Sequence, residues 1–255
     1  MIESDFLRYF LILFLIIVFS VFELLFPAEK NHTITGKIRN IFFISIYLLL
    51  GLLVTITLYG LIQQWIPGRP TVQTLPSALL LIAYLFVMDF IFYWYHRAEH
   101  AYAPLWAVHE LHHADSDLNV TSSMRTYFLE YPLQFFIIAI PTTYLITIDS
   151  SLLLPLLVIT TTWLFFTHTN VRLHLGFLSK YICGPQVHRI HHSNQKIHED
   201  KNFAQFFPII DVVFGTYYEP HKNEFPTTGT PNLPSHASIP TVLLRPWKLW
   251  FGKKN

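Results

Sequence analysis

Cysteine is nearly absent: Cys183 is the only one in 255 residues. A single thiol excludes an internal disulfide and any cysteine-based zinc cluster. Charge is scarce as well. Lys, Arg, Asp and Glu make up 13% of the chain, about half of the roughly 25% usual in soluble domains. The formal net charge is +1, so there is neither the basic field of a nucleic-acid binder nor an acidic tail. No low-complexity tract occurs, and the one internal repeat is a short histidine motif. What fills the chain is apolar: 52% of its residues are hydrophobic and 16% aromatic. That balance belongs to a bilayer.

The apolar residues form runs. Residues 6–26, 41–63, 77–95, 127–147 and 151–167 are each nearly free of charge. The first three suffice to cross a hydrocarbon core of ~30 Å at ~1.5 Å per residue. The first run begins beside Glu3 and Asp5 and lacks a small-residue cleavage site, which argues for a span and against a signal peptide. The last two are separated only by IDSS and read as a tight helical hairpin, the second leg of which can be a re-entrant helix. Lys30, Lys37 and Arg39 follow the first run, Arg69 alone follows the second, and most other basic residues follow the third and fifth. Under the positive-inside rule the N-terminus is outside, and 27–40, 96–126 and everything after 168 are cytoplasmic. From 220 the chain is Pro-rich and ends with Trp247, Trp250 and Phe251 beside Lys248, Lys253 and Lys254, a mixture suited to an interfacial anchor or to an ordinary packed tail. The expectation is an all-α polytopic membrane protein with about five transmembrane or re-entrant helices. It forms one integral domain over 1–255, with a histidine-rich helical cap on the cytoplasmic side and a tail at 220–255.

Histidine is the residue in excess, with 14 copies. HRAEH places His96 and His100 at i, i+4 directly after the third run. VHELHH gives His109, His112 and His113, and VHRIHH gives His188, His191 and His192, both at i, i+3, i+4. On helices each set shares a face. Pro104 and the Gly184-Pro185 pair stand where fresh helices would start. Eight imidazoles on three faces at one side of a membrane would repel when charged and strand donors when buried. A metal removes both problems, because neutral imidazole is a ligand. A four-coordinate ion needs four ligands, so this set suits two ions. Imidazole alone leaves Zn, Cu, Fe and Ni open. Asp89 sits inside a span, two turns before His96, where a carboxylate is costly and marks function. It is the leading candidate to accept a hydrogen bond from a ligand's free N–H, with Asn202 a weaker one. Glu99 and Glu110, within the boxes, are expected to face solvent. Phe90, Phe92, Tyr93, Trp94 and Tyr95 are candidates for an acyl or sterol slot or for an interfacial belt.

The text around the boxes resembles a family. MDFIFYWYHRAEH, HHADSDLNVTSSMR, FTHTNVR, GPQVHRIHHSN, DKNFA and DVVFGTYYEP are similar, in that order, to motifs of the fatty acid hydroxylase/sterol desaturase superfamily. The likeness runs over about 80–220 and is nearest to the branch of alkylglycerol monooxygenase and bacterial sterol-desaturase-like proteins. It implies a non-haem di-iron oxidoreductase, a lipid hydroxylase/monooxygenase or desaturase, with O2 as co-substrate and a fatty acyl, sterol or ether lipid taken from the bilayer. Zinc can substitute for iron in a purified protein. The ligand set it implies is His96, His100, His109, His112, His113, His188, His191 and His192, with His168 as a ninth. His174 falls where some members carry a further ligand, but the text around it does not match theirs. Asp211 matches a family aspartate that fixes the site or the local fold. No haem or flavin domain is fused here, so electrons are expected from a separate cytochrome, ferredoxin or reductase. The likeness to the alkylglycerol branch favours hydroxylation over desaturation. Two other readings remain: a non-enzymatic membrane metal-binding protein or transporter, which would need ligands at mid-bilayer, and a zinc-dependent membrane hydrolase.

Overall fold

The computed structural model describes residues 2–29, 34–65 and 75–252. Lys30, Arg69, Lys253 and Lys254 lie outside the described residues. Among the described residues the chain is helix and loop, with two isolated bridges, Pro27 to Val171 and Ser193 to Thr228, and no strand.

Three long helices come first: α1 (Ile2–Leu25), α2 (Ile34–Trp65) and α3 (Ser77–Ala101). Tyr102 breaks α3 with an extended backbone, and Pro104 opens α4 (Ala103–His113) one residue into its first turn, as the sequence suggested. There its missing amide costs nothing. A 3-10 turn at Val120–Met124 follows, capped by Asn119 and Ser122 in a reciprocal capping box. The fourth apolar run forms α5 (Glu130–Gln134), one π-turn at Phe135–Ala139 and α6 (Ile140–Leu145). The amide of Ile140 reaches back to the carbonyl of Phe135, one residue before Pro141, whose ring cannot donate; the widened turn absorbs that loss. Asp149 caps a 3-10 turn at Ser150–Leu152, which leads into α7 (Leu153–His168). Three short or peripheral helices complete the fold: α8 (Pro185–His191), α9 (Ile209–Phe214), closed by Gly215 at φ +74°, and α10 (Ile239–Phe251).

Among the described residues four stretches are long and apolar enough to cross a bilayer: Leu7–Leu25, Ile34–Val54, Ser77–Ala101 and Ser150–His168. Only 17–28% of each is buried in protein, and Phe10, Phe14, Ile17, Leu24, Leu79 and Ile82 point outward. An apolar surface on that scale needs lipid, not water. The 127–147 run differs from the expected full span. Glu130–Leu145 is a short, kinked helix of about 24 Å at ~1.5 Å per residue, less than a core of ~30 Å. The shorter leg of the hairpin is therefore the first. It leaves the histidine end at Glu130, and α7 returns there at His168.

Buried contacts hold that end together. Ile12 and Leu15 of α1 and Ile44 of α2 pack with Val120, Met124 and Phe165. Phe43, Val108, Leu111 and Tyr127 pack with Leu233 and Val242 of the tail. The Glu23 carboxylate, at the end of α1, accepts from the amides of Val120 (2.6 Å) and Asn170 (3.0 Å) and pairs with Lys37. Each of these contacts fixes a loop that carries or follows a histidine.

Candidate metal centre

Four elements deliver imidazoles to one place. His96 and His100 come from the last two turns of α3, and His109, His112 and His113 from the end of α4. His168 is the last residue of α7, and His188, His191 and His192 end α8. They sort into two groups. His96, His100, His109, His113 and His191 form one, and His112, His168, His188 and His192 the other, with ligand nitrogens in each group within 4.8 Å. Both H-x-x-H-H boxes are shared: α4 gives two rings to the first group and one to the second, and α8 one and two. His113 and His192 stack across the boundary at 4.4 Å between centroids. His174 joins neither group. Its Nδ1 meets Gln186 Oε1 at 2.7 Å. His198 is buried against Ser193 and Glu224, apart from both groups.

The nitrogens converge at distances that neutral rings alone do not satisfy. His96 and His109 approach Nε2 to Nε2 at 3.0 Å, His109 and His113 at 3.1 Å, and His100 and His113 at 3.2 Å. His168 lies 3.0 Å from His188 and 3.2 Å from His112. The outer nitrogens fix the tautomers. His96 Nδ1 donates to Phe203 O (2.8 Å), His191 Nδ1 to Lys201 O (2.9 Å) and His168 Nδ1 to Leu164 O (2.7 Å). A carbonyl only accepts, so those Nδ1 atoms carry the proton and their Nε2 lone pairs face inward. Among the described residues His191 Nε2 finds no hydrogen-bond partner. Burial, and then the neighbouring imidazoles, hold His109, His113, His188 and His192 well below the usual histidine pKa. Burial followed by His168 does the same at His112, and burial followed by His100 at His191. Neutral rings with bare nitrogens turned toward common points are what a metal cation requires.

The loop 200–207 is the orienting device. Asp200 and Asn202 adopt positive φ, 56° and 57°, a conformation that Asn and Asp tolerate better than most residues. Asn202 donates to Val187 O and Tyr218 O and accepts from the Tyr218 amide. Asp211 accepts from the amides of Phe203 and Ala204 and from Thr216 Oγ1. Asp89 accepts from the amides of Gln205, Phe206 and Phe207. Asp89 was expected to bond an imidazole directly; the contacts run instead to backbone amides. The three polar residues hold a loop whose carbonyls, at Lys201 and Phe203, do the orienting.

Two expectations are corrected. Glu99 and Glu110 are buried, not solvent-facing, at 1% exposure each. The reason is tertiary: α10 lies over α4, and Arg245 forks onto Glu110 at 2.8 and 3.0 Å. His109-Glu110-Leu111-His112-His113 fits H-E-x-x-H, in which the glutamate is a hydrolase's general base. Here that glutamate turns away from the imidazoles to Arg245. Glu99 lies with its Oε2 3.5 Å from His109 Nδ1. Glu130 approaches the same nitrogen at 4.0 Å, and Tyr95 and Gln134 donate to its Oε1. Glu130 was missed because it opens an apolar run; its signal was a lone carboxylate there. Of the five aromatics considered for a slot, only Phe92 lines the cavity, while Phe90 and Trp94 face outward.

That cavity is about 500 Å³. His96, His109, His112, His168 and His188 form one end, and its walls carry Met88 and Phe92 of α3, Ile138, and Leu156, Leu157 and Leu164 of α7. The fold and site define a membrane protein with two polyhistidine groups able to bind metal and a largely apolar chamber that reaches them. The fatty acid hydroxylase family model matches residues 81–216, more than half of the chain, and the protein belongs to that family. It is 33% identical to human alkylglycerol monooxygenase over 138 residues, covering 51% of this chain and 28% of that protein. It is 29% identical to ornithine lipid hydroxylase OlsE of Rhizobium tropici over 147 residues, 58% of this chain and 44% of that one. The chain thus spans less than half the length of either relative. No solved structure matches.

Proposed function

We propose that this protein is a membrane di-iron enzyme that uses O2 to hydroxylate a C–H bond of a lipid. The observation that carries the reading is the position of the two imidazole groups: they end an apolar cavity walled by bilayer-length helices. A transporter would line a path through the bilayer with such ligands. These cluster at helix ends.

His96, His100, His109, His113 and His191 would hold one iron, and His112, His168, His188 and His192 the other. Bound iron would supply O2 activation with two electrons from a separate donor, for the balance R–H + O2 + 2 e⁻ + 2 H⁺ → R–OH + H2O. The protein's own contributions follow from its geometry. Peptide carbonyls at 164, 201 and 203 hold three rings in the metal-binding tautomer. The leucine and phenylalanine walls exclude water and align a hydrocarbon chain toward the histidines. Glu130 reaches the cavity beside them, with Tyr95 and Gln134 fixing its carboxylate. The names of the relatives favour hydroxylation over desaturation. The charge bias of the loops supports a cytoplasmic site, on the side where soluble electron donors reside.

Deleting the gene and profiling the lipids tests the reading. A hydroxylated lipid should vanish and return with the wild-type gene, but not with His109→Ala. An unchanged profile, or zinc-dependent hydrolysis by the purified protein without O2 uptake, overturns it.

A further inference from the structure

The cavity has a second pole. Arg8, half-buried on α1 at the start of the Leu7–Leu25 span, lines the same chamber as the histidines. Its guanidinium lies near the phenols of Tyr131, Tyr47 and Tyr9. Tyr47 and Tyr131 meet edge to face at 5.1 Å, and Tyr47 OH donates to Gln134 Oε1 at 3.3 Å. Arg8, Tyr47, Tyr131 and Gln134 thus make a polar strip on one wall of the chamber. The side chains of Glu3 and Asp5 lie outside those the structure describes; among the described side chains no carboxylate forms an ion pair with Arg8, and neutral phenols do not compensate its charge.

The strip runs on toward the histidines: Gln134 Nε2 donates to Glu130 Oε1 at 2.9 Å, and that oxygen lies 4.0 Å from His109 Nδ1. A guanidinium is shaped to take carboxylate or phosphate through paired N–H bonds.

We propose that Arg8, with Tyr47 and Tyr131, binds the oxyanion head of the lipid substrate. The shared chemistry is an acidic lipid, with either a carboxylate or a phosphate at the Arg8 pole. This rests on the lipid-oxidising function proposed above and adds the substrate's charge.

The test is equilibrium binding of three radiolabelled probes to the purified full-length chain in neutral detergent: palmitate, methyl palmitate and palmitoyl lysophosphatidate. An acidic probe should bind at least about tenfold tighter than the ester, the scale of one charge-assisted hydrogen bond. Arg8→Gln should erase that preference while leaving the ester's Kd unchanged, and Arg8→Lys should keep part of it. A preference for palmitate alone assigns a carboxylate head, and for lysophosphatidate alone a phosphate. Equal binding of all three probes by the wild type overturns the proposal, as does a uniform loss in Arg8→Gln. Oxidised product and iron are measured separately. Their absence overturns the function, while the head-group assignment stands or falls on binding alone.

Discussion

His168 and His188 bring their Nε2 atoms to 3.0 Å, while His168 Nδ1 donates to the Leu164 carbonyl at 2.7 Å. That donation leaves a lone pair on the inward nitrogen. The same nitrogen is also 3.2 Å from His112 Nε2. One cation satisfies all three rings, and His168 is the member of its group that comes from neither box.

His168→Ala should therefore remove one of the two metals and spare the other. Elemental analysis should give about one metal per chain, since the five-imidazole group keeps all its members. Loss of both metals would show that the groups bind as a unit.

Glu99 and Glu130 flank His109 Nδ1 at 3.5 and 4.0 Å. Partners of this kind hold ligand rings in register, and removing one costs about 10–100-fold in metal affinity or activity. Glu130→Gln should fall in that range, read as the rate of iron loss to a chelator. No change in that rate would remove Glu130 from the support of the site.

Filling the cavity should separate metal binding from turnover. Leu157 lies on the α7 wall, away from the imidazoles. Leu157→Trp should keep full metal content and lose lipid oxidation. Unchanged activity would place the substrate elsewhere.

The metal-free protein should lose stability as pH falls. His109, His112, His113, His188, His191 and His192 are held well below the usual histidine pKa, by burial first and neighbouring imidazoles second. The unfolded chain, with ordinary histidines near ~6.5, takes up protons before the folded one does. Stability is then full above about pH 6.5 and declines below it, by up to about 1.4 kcal/mol per pH unit for each extra proton. Melting temperatures at pH 7.5, 6.5 and 5.5 check this. The six-fold alanine variant, if it folds, should show a flatter profile.

Arg245→Ala should destabilise the site from outside. Glu110 is buried, and its two carboxylate oxygens both contact Arg245. Removing the guanidinium strands a buried charge, at a cost of about 3 kcal/mol. Arg245→Ala with Glu110→Gln should recover part of the loss in a thermal melt. An equal loss in the single and double variants would assign the effect to packing of α10.

The local features of this protein were legible in its sequence. Apolar runs, Pro104 after a break and imidazoles at i, i+3, i+4 are short-range patterns, and the helices follow them. The division of each box between two groups was not legible, because it depends on how α4 and α8 cross. Asp89 looked like an imidazole partner by its two-turn spacing from His96. It holds a loop more than a hundred residues away, which no local period encodes. Glu110 was misjudged for the same reason, since the tail helix that covers α4 begins at Ile239, and Glu99 because it faces His109 and Glu130 of other helices. Arg8 stands in an apolar run with nothing local to single it out, and only the cavity joins it to the histidines.

The most direct measurement is turnover under ¹⁸O2 by the anaerobically purified, iron-loaded chain with a chemical reductant and extracted membrane lipids. The expected result is about two iron ions per chain and one ¹⁸O atom in a new lipid hydroxyl, both diminished in His109→Ala. Two bound iron ions with no ¹⁸O in any lipid, or stoichiometric zinc with no O2 uptake, would contradict it.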